Sequence, residues 1–199
     1  MKLSSIWALA LTLALPLAGH TEEETKQPSD RHSIELSDLI DRVAKRTGKQ
    51  FILDPRVRGE VPLAGLDASK VDYERLLAIL RVNLYVAVED HGFVVVVPDA
   101  NARQLTTPVY TDLKFKALDD EVVTVILEVK NACAPQLVPI LRPLMPQSAH
   151  MAAYPLSNTM ILSDHADNVR RVGSMIEKLD RATPAAQKCQ GGSSSSSGS

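Results

Sequence analysis

The sequence has little of what catalysis requires. None of Gly-x-Ser-x-Gly, His-Glu-x-x-His or a glycine-rich phosphate loop occurs in its 199 residues. The five histidines, at positions 20, 32, 91, 150 and 165, are scattered, with no metal-type partner at helical or turn spacing. His91 reads as a turn residue and His165 as part of the first turn of a helix. An enzyme needs converging polar groups, so no catalytic, cofactor or metal residues are expected. The formal charge of −2 argues against a general binder of nucleic acid or anionic membrane. Arg42, Lys45, Arg46 and Lys49, with Arg56 and Arg58 just beyond, read as a solvated helix face. Asp119, Asp120 and Glu121 read as a solvated strand entry.

Long apolar runs are also scarce. The longest, residues 6–17, is interrupted by Thr12 and Pro16, and is shorter than the roughly 20 residues of a membrane-spanning helix. It follows Met1-Lys2 and precedes the small residues Ala18 and Gly19, the layout of a secretory signal peptide over residues 1–19. His20 stands where a lipoprotein would need cysteine. The mature chain is expected to have no membrane span and to enter an oxidising compartment. The two cysteines, Cys133 and Cys189, could pair there. Cys189 belongs to a Gly/Ser-rich tail, residues 182–199, so the pairing stays open.

What is present is periodicity. After a polar segment, residues 20–33, Leu36, Leu39, Ile40 and Val43 form one helical stripe that Gly48 ends. Short strands are expected around Phe51-Ile52-Leu53 and at Val61-Pro62-Leu63, the latter at an edge because of Pro62. Ser69 and Asp72 suggest a capping box for a second helix bearing Tyr73, Leu76, Leu77 and Leu80. Residues 84–88 and 93–97 form a hairpin around Glu89-Asp90-His91-Gly92. The first module, residues 34–98, is therefore α-β-β-α-β-β, with or without an earlier strand.

Residues 99–120 read as linker. The second module, residues 121–181, opens with a strand over 122–129. The stripe Leu137, Ile140, Leu141 and Leu144 follows, read as helix core, with Pro143 expected to kink or shorten that helix. Strands over 150–154 and 159–162 flank the turn Pro155-Leu156-Ser157-Asn158. A last helix is capped at Ser163 or Asp164 and buries Val169, Val172, Ile176 and Leu179. The order β-α-β-β-α, like that of the first module, means an α+β fold. KH modules that bind single-stranded nucleic acid share this order, but their Gly-x-x-Gly clamp is absent.

Two stretches resemble a known family. Arg46-Thr47-Gly48-Lys49-Gln50-Phe51-Ile52-Leu53-Asp54-Pro55-Arg56-Val57-Arg58-Gly59 is similar to the first periplasmic domain of type II secretion secretins. Asp119 to Thr124, Leu137 to Gln147, Ser157 to Asp164 and the closing Lys178-Leu179-Asp180 resemble the family's second domain. The resemblance spans residues 34–180. It implies a first domain folded like the signalling domain of TonB-dependent receptors, which binds an inner-membrane clamp protein. It implies a second, KH-like (NolW-like) domain that packs into rings with its copies. The expected role is non-catalytic and periplasmic, beside the outer-membrane secretion complex, with secretin-type subunits, other type II secretion components or a second copy as partners. The chain departs from the family where an apolar strand should precede the first helix; it has Gln27 to His32 instead. It also carries no pore domain, so a short form is expected. The other readings are a stand-alone envelope adaptor or signalling domain, and a truncated secretin remnant. Contact residues are expected at Arg142 and Gln147, beside the proline-rich helix, and at the hairpin tip Pro155, Leu156, Ser157 and Asn158.

Overall fold

The computed structural model describes residues 32–183 and Cys189. All belong to one compact unit, residues 31–199; the expected signal peptide and most of the Gly/Ser tail lie outside the described residues.

The first module begins with a strand where the sequence offered no apolar run. β1 (His32–Glu35) pairs antiparallel with β3 (Glu60–Leu63), placing Ile34 opposite Val61. α1 (Leu36–Thr47) buries Leu36, Leu39, Ile40 and Val43, and ends on Gly48, whose φ of 71° suits a residue without Cβ. β2 (Gln50–Leu53) joins the hairpin of β4 (Tyr85–Asp90) and β5 (Phe93–Pro98) in a sheet of order β2-β5-β4. His91 and Gly92, at φ 48° and 86°, make the two-residue turn that suits twisted hairpin strands. α2 (Tyr73–Val82) is capped by Asp72, whose carboxylate accepts from the Arg75 amide at 2.9 Å. The expected cap at Ser69 is corrected: Ser69 sits in a separate 3-10 turn that Asp67 caps. Both sheets and both helices supply one core, including Leu39, Val61, Leu76, Leu80 and Val96.

In the second module β6 (Val109–Tyr110), β7 (Val122–Glu128), β8 (His150–Tyr154) and β9 (Thr159–His165) form a sheet of order β6-β7-β9-β8. α3 (Ala134–Leu141) and α4 (Ala166–Ala182) complete it, and Leu137, Leu141, Val169, Val172 and Ile176 pack on Val125, Met160 and Leu162. α3 tightens into a 3-10 turn, Arg142–Leu144, as Pro143 dictates. Leu144, within that turn, is 44% exposed, and Ile140, still inside α3, faces away from the core at 62%, so only half of the expected apolar stripe is core.

α4 has no side-chain cap. β9 runs directly into it, and the carbonyls of Glu121 and Asp119 take the amides of Ala166 and Asp167. The expected cap at Ser163 or Asp164 is thus replaced by backbone from the entry to β7. Leu179 is half-exposed, and Asp180 takes a buried place beside it.

The segment between the modules is built into the fold. Residues 99–104 make a 3-10 turn and β6 extends the second sheet. Tyr110 stacks on Phe115 at 4.7 Å, and the Arg170 guanidinium lies 4.7 Å from the Phe115 ring. Leu113 fills a notch on α4 left by Gly173, where an added Cβ would lie 2.9 Å from one Leu113 methyl and closer to the other. Val86, Val88 and Val97 of the first module meet Val122 and Ala102 in a small apolar seam. Arg81 closes it, donating to Asp120 at 2.7 Å and Asp167 at 3.0 Å. Asp120 therefore holds the modules together rather than lying solvated, and Asp119 pairs with Arg170 at 2.8 Å.

Candidate interaction surfaces

At the tip of the β8–β9 hairpin, Asn158 adopts φ 52° and turns its amide inward. Its nitrogen donates to the carbonyls of Val129 at 2.5 Å and Ala132 at 2.8 Å, and its oxygen accepts from the Ala134 amide at 2.8 Å. From the other side Asp180 accepts the amides of Lys130, Asn131 and Ala132 at 3.0, 2.6 and 2.8 Å. Burial alone would raise the Asp180 pKa, but these three amides and the Lys130 charge hold it below the usual carboxylate range. The loop from Val129 to Cys133 is thus gripped by the hairpin on one side and by α4 on the other.

The sequence-derived contact residues divide accordingly. Arg142 spends its guanidinium on the carbonyls of Met145, Pro146, Gln147 and Ala149, so it shapes the turn after α3. Gln147 is exposed on that turn. Asn158 is committed internally, whereas Pro155, Leu156 and Ser157 face outward, with Leu156 86% exposed. Ser157 bonds the Thr159 hydroxyl at 2.7 Å. Beside this tip lies a concavity of about 410 Å³ between residues 128–130 and 155–158, with Cys189 on its wall. Cys189 is bonded to Cys133. The hairpin tip and the turn after α3 are separate patches, and no described contact unites them.

A second surface lies on the first module. β3 and the outer face of α2 enclose an apolar groove of about 330 Å³, lined by Val61, Pro62, Leu63, Leu66, Ile79 and Val82. Val82 is 82% exposed and Leu66 nearly half. Sequence reasoning passed over it, although one signal was present: Val82 lies off the apolar stripe Leu76, Leu77 and Leu80 and so had no core to join.

Polar chemistry elsewhere is local. Asp54 is held down to about 2 by the Arg56 side chain and amide on an open surface. Lys49 pairs with Glu89 and lies 4.6 Å from the Tyr73 ring. Burial, with Glu89 and Glu121 nearby, pushes the Tyr73 hydroxyl above the ordinary tyrosine range. Among the described residues no group of three His, Cys, Asp or Glu side chains could hold a metal ion.

Residues 31–96 match the family of GspD-like N0 domains, and residues 124–185 match the short domain of bacterial type II/III secretion systems. The chain is 28% identical over 195 residues to secretin XcpQ of Pseudomonas aeruginosa, covering 89% of this chain and 29% of that protein. It is 29% identical over 184 residues to secretin GspD of Vibrio cholerae, with 89% and 27% covered. It therefore spans less than a third of the length of these relatives. Among solved structures it is similar to the Klebsiella pneumoniae type II secretion system outer membrane complex of PulD, PulS and the PulC HR domain. The TM-score is 0.66 at 25% identity, over 77% of this chain and 27% of that one. With β1 in place, both halves of the described fold have their counterparts, and the chain carries the GspD-like N0 domain and the short secretion-system domain found in the N-terminal part of type II secretion secretins.

Proposed function

We propose that the chain is a non-catalytic protein–protein interaction component of a type II secretion system, working in the periplasm in the export of proteins across the outer membrane. The observation that carries this reading is the exposed apolar groove between β3 and α2. Val82 and Leu66 are out of water's reach only when something covers them, and burying such side chains is worth about 1.5–3 kcal/mol each. The related complex that holds a PulC HR domain supports a partner of that kind for the first module. On the second module, Pro155, Leu156, Ser157 and Gln147 are the proposed contacts. Arg142 and Asn158 act there by fixing the turns that present them.

The test is a calorimetric titration of the mature chain with the PulC-type HR domain from the same genome, repeated with Val82→Glu. A charge in the groove should weaken binding at least about tenfold, the equivalent of about 1.4 kcal/mol. Binding that Val82→Glu leaves unchanged would move the contact off the groove. Absence of binding to the wild type would favour an adaptor of another envelope complex.

A further inference from the structure

Between the two modules lies a cavity of about 230 Å³ that the secretion reading does not use. Its walls include Tyr73, the first residue of α2, Val88 and Glu89 of β4, Tyr110 of β6, and Glu121 and Val122 at the entry to β7. Val82 is at the opposite end of α2, so this cavity and the apolar groove are separate. Its polar groups have capacity to spare. Glu121 accepts the Leu118 amide on Oε2 at 2.9 Å, and its Oε1 has no partner among the described residues. Glu89 pairs through Oε1 with Lys49, whose ammonium lies 4.6 Å from the Tyr73 ring. Burial, with Glu89 and Glu121 nearby, keeps the Tyr73 hydroxyl protonated, and it has no hydrogen-bond partner among the described residues. No basic side chain is among the described lining residues, so two carboxylates face one neighbouring cation, Lys49, and one negative charge is unmatched.

We propose that this cavity binds the guanidinium of an arginine side chain carried by a partner protein. Volume and chemistry point the same way. Sites for whole small ligands run to about 300–1,000 Å³, so this one suits a single long side chain. The guanidinium fork has five N–H donors, enough to reach Glu121 Oε1 and the Tyr73 hydroxyl oxygen together. Its planar face suits the Tyr110 ring. Tyr110 rests on Phe115, and the chain's own Arg170 guanidinium already lies 4.7 Å from the Phe115 ring. A lysine ammonium offers no fork, and as a compact charge it would stand against Lys49. A neutral group of the same shape would leave the unmatched carboxylate without a counter-charge.

The isotopically labelled mature chain is titrated by NMR with the blocked tripeptide acetyl-Gly-Arg-Gly-amide to about 50 mM, a range that captures a single side-chain contact. The same peptide carrying citrulline or lysine, and free arginine, serve as comparisons. Saturable amide shifts at Val88, Glu89, Tyr110 and Val122 are expected with the arginine peptide. Binding should be at least about tenfold weaker with citrulline, which keeps the shape without the charge, and about threefold weaker with lysine. Glu121→Gln, which can still accept the Leu118 amide, should weaken the arginine peptide at least about fivefold, and Lys49→Gln, which releases Glu89, should tighten it about threefold. Absence of saturable shifts, equal binding of citrulline, or unchanged binding by a folded Glu121→Gln would overturn the proposal. Equal binding of lysine would overturn the choice of guanidinium, and tighter binding of free arginine would overturn the protein-borne source. If a variant fails to fold, the citrulline comparison on the wild-type chain decides.

Discussion

Replacing Asp180 by asparagine keeps the side chain's shape but removes its charge, and turns one acceptor oxygen toward an amide as a second donor. The carboxylate is 9% exposed and receives the amides of Lys130, Asn131 and Ala132 at 3.0, 2.6 and 2.8 Å. Hydrogen bonds to a charged group contribute about 1.5–3 kcal/mol each when isolated. Here three share two oxygens, and Lys130 is open to water, so the expected loss is about 2–3 kcal/mol in all. With a urea slope of about 2 kcal/mol/M, the unfolding midpoint should fall by about 1 M. The pH dependence follows from the depressed pKa. A carboxyl lower in the folded than in the unfolded state stabilises fully above the unfolded value of about 4, and that stabilisation fades as pH falls through the folded value. The gap between wild type and Asp180→Asn should therefore be constant from about pH 8 to 5 and narrow below about 4. Urea titrations at several pH values measure it. A gap under about 0.5 kcal/mol at neutral pH, within the range of ordinary surface changes, would refute the reasoning, as would one that widens on acidification.

Three further changes test the joints of the fold. Arg81→Met removes both ion pairs across the module seam; it should cost about 1 kcal/mol and broaden the small-angle scattering profile while circular dichroism stays native. Gly173→Ala, which at an ordinary helix position would gain about 1 kcal/mol, should lose about as much because Leu113 is expelled from its notch; adding Leu113→Ala should recover most of it in a thermal melt. Asn158→Ala should destabilise by about 2–3 kcal/mol through lost bonds and its left-handed backbone, and Asn158→Gly by about 1 kcal/mol less, by denaturant unfolding.

The parts of the fold that were legible in the sequence are those where apolar spacing repeats. Leu36, Leu39, Ile40 and Val43 with Gly48 specify α1 without help from distant residues, and Glu89 to Gly92 mark the hairpin equally locally. β1 was not legible, because His32–Glu35 carries one aliphatic residue and exists by pairing with β3, a partner distant in sequence. Leu144 misled because the helical period assumed for it stops at Pro143, and Ile140 because it lies on the solvent side of α3 although its spacing from Leu137 fits the stripe. Within the stretch taken for linker, Phe115 is buried without any periodic neighbour to signal it. The contact residues were read by type. The structure shows that Arg142 and Asn158 face their own backbone, whereas Leu156 and Val82 are apolar groups with no core to enter. Asp180 drew attention only as the end of a family-like run. Its role depends on a loop 48 positions or more away, which no local pattern encodes.

The most direct test of the secretion role is an affinity isolation of the tagged mature chain from cells that express a type II secretion machine, with secretin subunits and the PulC-type component quantified by mass spectrometry. The account predicts that at least one of the two is enriched about tenfold or more over an untagged control, and that a chain carrying both Val82→Glu and Leu156→Glu, folded by circular dichroism, loses that enrichment. Recovery of neither protein by the wild-type chain, or equal recovery by the wild type and the double variant, would contradict it.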